Sequence, residues 1–245
     1  MVLTDRDFEL LCYLGKHGVS TSSELTELFF PSYDAFRTRV RLLIQESLVR
    51  SVPMRQLREI SSKSYAQAAG ILGVSTRQLH SVRVYMLAER IRTKLQSSLG
   101  LTEVKMWKHQ YQVGRVSRAL ETLLPDAAIL NDPQVKREIL RFRNPKDAVI
   151  PDLVFRQDEL NVAVEIERNY KNHDEYRARF NYYEDSAYSH VLYFCESDEL
   201  FERIVARART YEKVGVVRIL SPALVFKPSR GFMALSEFLK IKMGS

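Results

Sequence analysis

Cysteine is scarce: the 245 residues hold two, Cys12 and Cys195, each inside an apolar run. Two thiols without a zinc-ligand spacing exclude a disulfide scaffold and a zinc knuckle. Both are expected to pack as small hydrophobes in a reducing compartment. Long apolar runs are absent too, and the chain opens on Thr4-Asp5-Arg6-Asp7 instead of a charged-then-apolar leader. Membrane insertion and secretion are therefore set aside, and a cytoplasmic place is expected. No internal repeat or low-complexity tract breaks the chain. Acid is in short supply relative to base, with 30 Asp and Glu against 37 Lys and Arg, a formal net charge of +7. Such an excess favours a polyanionic partner, because each phosphate contact releases condensed counterions. A hydrophobic share of 45% leaves enough apolar side chain to bury one large core or two small ones.

What is present falls into two halves. Residues 4–18 are expected as a helix capped by Thr4, with Asp5 and Asp7 in its first turn and Phe8, Leu11 and Leu14 at helical spacing before Gly15 and Gly18. Residues 22–30 make a second short helix stopped by Pro31, and a third runs from Ser32 to about Glu46. A strand-like segment, Leu48-Val49-Arg50-Ser51, closes the set. Three short helices followed by a basic strand are the order of a winged helix, expected over residues 1–72. On the third helix Phe36, Val40, Leu43 and Ile44 share a face that should be buried. Tyr33, Arg37 and Arg41 form a column on another face, which suits a helix lying in a DNA major groove. Arg50, Arg55, Arg58 and Lys63 fall where a wing would touch phosphates.

Between the halves two readings stay open. Residues 68–79 resemble the turn of a second helix-turn-helix; alternatively residues 64–71 are the returning strand of the wing, and 76–96 a long helix. The second is preferred, giving a connecting helix over residues 73–99. Arg77, Arg83, Arg90, Arg92 and Lys94 keep the region cationic in either case. Ser97-Ser98-Leu99-Gly100 is the clearest punctuation.

Residues 100–245 alternate strands with helices. Helices are expected over 113–124, 174–183 and 200–211. Strands are expected over 127–130, 138–142, 152–156, 161–167, 190–195 and 215–220. That alternation predicts an α/β domain with a mixed sheet flanked by helices, and for the whole chain a two-domain α+β and α/β fold. His80 and His190 sit in apolar settings and are assigned no role.

The acids carry the chemistry. A turn centred between Asp158 and Glu159 sets Asp152 directly opposite Glu165 on a hairpin. Side chains alternate along a strand, so Glu165 and Glu167 share a face while Ile166 points to the core. Three carboxylates on one patch repel by an amount of order 1 kcal/mol or more per pair. A divalent cation would relieve that repulsion, and hard oxygen ligands suit Mg2+ or Mn2+.

Pro151-Asp152 followed by Glu165-Ile166-Glu167 resembles the PD-(D/E)xK nuclease motif, with Glu167 standing where that pattern has lysine. With the preceding winged-helix segment and Glu167-Arg168-Asn169-Tyr170-Lys171, the chain resembles the MobC family of plasmid mobilisation relaxases and the wider replication-relaxation group. The resemblance implies a restriction-endonuclease-like fold for the second half. It implies site-specific nicking of double-stranded DNA at a plasmid transfer origin, within a relaxosome that holds an accessory or coupling protein. By the same resemblance Asp152, Glu165 and Glu167 hold the metal and Lys171, or Arg168, returns the missing cation. Glu121 is the helix acid that some members add to the metal site. Tyr170, Tyr176, Tyr182 and Tyr183 are candidate nucleophiles because relaxases of other families use tyrosine. A regulator that binds DNA and cuts nothing is the alternative.

Overall fold

A computed structural model describes residues 2–53, 82–88, 91, 107–139, 149–218, 224–227 and 231–234. The chain divides into two compact units, Met1–Arg115 and Val116–Ser245.

The first unit opens with α1 (Asp5–His17), β1 (Ser20–Thr21), α2 (Ser22–Phe29) and α3 (Tyr33–Gln45). It continues with β2 (Val49–Pro53) and β3 (Arg83–Leu87). Local chemistry sets the helix ends. Thr4 and Thr21 each cap a helix while the acid three residues on, Asp7 or Glu24, reaches back to the cap. Gly18 takes φ 79°, a backbone that suits glycine, and its amide donates to the Leu14 carbonyl to close α1. Leu10, Leu11, Leu14, Leu25, Phe36, Val40 and Leu43 bury against one another with Val49, Tyr85 and Leu87. One expected core position is corrected: Ile44 is exposed, because Leu43 holds the inward position of that turn, and Phe8 on α1 is exposed as well. Cys12 is also exposed, on the outer face of α1.

β3 lies between β1 and β2, antiparallel to both. The long helix expected over 76–96 is therefore interrupted by a strand, in which Val84, Tyr85, Met86 and Leu87 are all buried. Its run of β-branched and large apolar residues completes a small sheet, and that burial outweighs the helical pattern of the flanks. The strand expected over 64–71, the second helix-turn-helix, and Arg77, His80, Arg90, Arg92 and Lys94 lie outside the described residues.

α4 (Trp107–Leu123) begins in the first unit and ends in the second. The second unit then runs β4 (Ala128–Asn131), α5 (Asp132–Ile139), β5 (Leu153–Gln157), β6 (Leu160–Glu167), α6 (His173–Glu184) and β7 (His190–Cys195). α7 (Asp198–Ala208), β8 (Val214–Arg218), β9 (Leu224–Lys227) and β10 (Gly231–Ala234) complete it. Glu138 belongs to α5, which corrects the strand expected from that residue onward.

Seven strands form one mixed sheet in the order β10-β9-β8-β7-β6-β5-β4. β6, β7 and β8 are parallel and the other pairings antiparallel. The β5–β6 register is the one the turn predicts: Leu153 faces Val164 and Gln157 faces Leu160. Asp158 adopts φ 51° in the two-residue turn. Parallel neighbours need crossovers, and two in succession along one direction of the sheet, of the same hand, place their helices on one face. α6 and α7 accordingly share a core with Ala163, Val191, Tyr193, Cys195, Val214 and Val216. By the two-residue period, that face is also the face of Glu165 and Glu167.

Candidate functional site

Two sets of charged residues were expected to act, and the fold treats them differently. On α3, Phe36, Val40 and Leu43 are turned inward and Tyr33, Arg37 and Arg41 are exposed. Tyr33 packs its ring 5.9 Å from Phe36, and among the described residues no side chain pairs with Arg37 or Arg41. Arg50 projects from β2, exposed. Arg83 projects from the partner strand, with its Nε donating to the Ser51 hydroxyl at 2.7 Å. Arg55, Arg58 and Lys63 lie outside the described residues.

A further arginine of α3, Arg39, escaped the sequence reading. Its guanidinium grips the carboxylate of buried Asp7 with two nitrogens, Nε at 2.8 Å, and Nη2 also donates to the Val2 carbonyl. The Arg39 contact holds the Asp7 carboxyl down at about 2. The clue was Asp7 itself, whose cap leaves oxygen lone pairs facing the third helix.

The acids of the second unit are enclosed by α6. Glu165 and Glu167 retain 4% and 2% of their surface. Both oxygens of Glu165 are engaged: the Tyr183 hydroxyl donates to Oε1, and Arg179 pairs with Oε2 at 3.1 Å. Lys171, in the segment after β6, donates to Glu167 Oε1, with its ammonium 5.9 Å from the Tyr176 ring centre. Asp152 is half-buried and accepts the Ile166 backbone amide at 2.8 Å. Burial, then the nearby Asp152 charge, pushes the Glu165 carboxyl up to about 7 against the pull of Arg179 and the Tyr183 hydroxyl. The Tyr193 hydroxyl is buried in the same layer, with no hydrogen-bond partner among the described residues.

Asp152 and Glu165 are thus brought together, and Glu167 and Lys171 with each other. Glu121 stands on α4, where its carboxylate accepts from the Ser117 hydroxyl at 3.1 Å. Among the described residues no group of three or more acidic, histidine or cysteine side chains is placed to hold a metal ion. Magnesium or manganese needs several converging oxygens free of other partners. Arg179 and the Tyr183 phenol already take both oxygens of Glu165, and Lys171 takes Oε1 of Glu167. As arranged, the donor set does not fit a divalent ion.

Comparison with protein-family models, with curated proteins and with solved structures returns no match to this chain.

Arg179 and Tyr183 are the partners that sequence reasoning missed. They sit four residues apart on one face of the helix that follows β6, a spacing that could have been sought once the crossover was read. Of the candidate nucleophiles, Tyr176 and Tyr183 are fully buried, and burial raises both phenols. Tyr170 and Tyr182 are partly buried. Arg168 is committed to Glu196 at 3.2 Å, and His190 is buried as its apolar setting predicts. No helix among the described residues is long and apolar enough to cross a membrane.

Proposed function

We propose that the protein is a cytoplasmic DNA-binding protein that reads duplex sequence through α3, with the second unit a nuclease-like fold whose acids serve as internal ion-pair partners. The observation that carries this is the exposed column Tyr33–Arg37–Arg41 on a helix whose opposite face is locked in the core. Two guanidinium forks with no partner among the described residues match the paired acceptors of a guanine edge. Three helices and an antiparallel β2–β3 pair, in that order, support reading the first unit as a winged helix, with Arg50 and Arg83 on its strands to meet phosphates. The net charge of +7 agrees with a phosphate-rich partner.

Selection of bound duplexes from a random pool tests this. The wild-type chain should enrich one sequence, and Arg37→Ala/Arg41→Ala should fail to enrich it. Equal enrichment by both would overturn the reading.

A second reading, metal-dependent nicking at a plasmid transfer origin within a relaxosome, is favoured by one observation. Asp152 lies close enough to Glu165 to raise its carboxyl, and Lys171 stands beside Glu167. It requires Arg179, Tyr183 or Lys171 to release the acids when DNA and metal arrive. Supercoiled origin-bearing plasmid incubated with Mg2+ or Mn2+ separates the two. The first reading expects no open circle, and the second expects open circle that Asp152→Ala or Glu165→Ala abolishes.

A further inference from the structure

Outside the acidic cluster, α7 carries Arg203 and Arg207 one turn apart, and both converge on Tyr170 in the segment between β6 and α6. The Arg203 guanidinium lies 3.8 Å over the Tyr170 ring centre. Arg207 Nε donates to the Tyr170 hydroxyl at 2.6 Å, and its Nη1 contacts His173 Nδ1. Free arginine side chains lose considerable rotamer entropy when a ligand fixes them. Here one tyrosine fixes two of them beforehand, one by its face and one by its oxygen.

Two cations on a single ring repel each other, and the acids nearby do little to offset them. Glu199 reaches Arg203 at 3.5 Å but is 81% exposed, so solvent weakens the pair. Among the described residues no carboxylate pairs with Arg207. In the first turn of α6, Asp174 is held by Arg177 at 3.0 Å, and Glu175 is exposed. Lys171, next to Tyr170 in sequence, is taken by Glu167. The cluster therefore offers guanidinium and imidazole donors, preset in position, to an anion with several acceptor oxygens. Guanidinium forks fit phosphate oxygens, and Arg203, stacked on half-buried Tyr170, is itself exposed to meet them.

We infer that Tyr170, His173, Arg203 and Arg207 form a phosphodiester-binding site of the second unit, which grips the DNA backbone without reading its sequence. The inference takes DNA as the partner and so rests on the function proposed above. The experiment follows arginine side-chain Nε–Hε resonances of the full chain, assigned by single substitutions, as a short duplex of mixed sequence is added at low salt. Movement of the Arg203 and Arg207 signals is expected. Movement of Arg37 and Arg41 alone overturns the site and leaves the α3 reading standing. Movement of Arg203 and Arg207 alone supports the site and overturns the α3 reading, and no movement removes both.

Salt dependence gives a second readout. In Arg203→Gln/Arg207→Gln the slope of log affinity against log salt should become shallower by about 1, the release from roughly one phosphate. The loss should be similar for every duplex sequence, and Arg203→Lys/Arg207→Lys should restore most of the slope. An unchanged slope in the glutamine variant, with thermal unfolding showing that it is folded, overturns the site.

Discussion

Arg37 and Arg41 on α3 and Glu165 and Glu167 on β6 are charged residues of similar promise in sequence, yet the fold uses them in opposite ways. α3 packs by one face against two helices and a small sheet, so its other face keeps its arginines in solvent. β6 lies inside a sheet between antiparallel β5 and parallel β7, and α6 folds back over the face that carries its acids. Its charges must therefore find partners within the protein, because an unpaired buried carboxylate costs several kcal/mol. A charged residue on a helix surface is available to a ligand by default. One on a strand that begins a crossover is covered by the helix that follows.

The largest expected effect lies on the covered side. Arg179→Ala leaves Glu165 buried with, among the described residues, the Tyr183 hydroxyl as its partner, and the loss should be about 3 kcal/mol by urea unfolding. Adding Glu165→Gln should recover most of it, because the charge that Arg179 answers is then gone. Arg37→Ala, by contrast, should stay within about 0.5 kcal/mol of wild type. A large effect at Arg37, or none at Arg179, would dissolve the contrast.

The pH dependence of the two units should carry opposite signs. Asp7 is held at about 2 by Arg39, below its unfolded value, so its contribution is full above about pH 4 and is lost as pH falls toward 2. That difference corresponds to roughly 2 kcal/mol, which Asp7→Asn should remove. Glu165 is raised to about 7, above its unfolded value, so the folded chain binds the extra proton. Stability should fall as pH rises from about 4.5 to about 7, and Glu165→Gln should flatten that limb. Unfolding of each variant across pH 2–8 checks both signs.

Smaller effects should separate the two tyrosines of the acidic layer. Tyr183→Phe removes a donor to a charged acceptor and should cost about 1–2 kcal/mol. Tyr193→Phe removes a hydroxyl that has no partner among the described residues and should be neutral or stabilising by less than about 1 kcal/mol. Thermal unfolding that ranks them the other way would show that the donors around Glu165 are misassigned.

The legible parts of the sequence were those whose causes are local. Thr4 with Asp7, Gly18 and Pro31 mark helix limits within a few residues of the observed ones. The short turn at Asp158-Glu159 sets the hairpin register to the residue. What sequence hid was non-local. Nothing near residue 85 announces that it pairs with both Ser20 and Ser51 in a small sheet, so the helical pattern of the flanks dominates the reading. Nothing in Glu165-Ile166-Glu167 tells which face of β6 a later helix will cover, so Ile166 alone was assigned to the core. Arg39 and Arg179 were invisible for the same reason, since their carboxylates lie 32 and 14 positions away in the chain.

The contrast between open cations and occupied acids is tested most directly by duplex affinity on the sequence enriched by the wild-type chain, with and without magnesium. Arg37→Ala/Arg41→Ala should weaken binding roughly 100-fold, the loss of two base-edge contacts. Asp152→Ala/Glu165→Gln should bind as wild type does, and magnesium should weaken both equally, as a competing counterion, and leave the duplex intact. Tight binding by the arginine variant, together with magnesium-dependent strand breaks that the acid variant abolishes, would contradict the account.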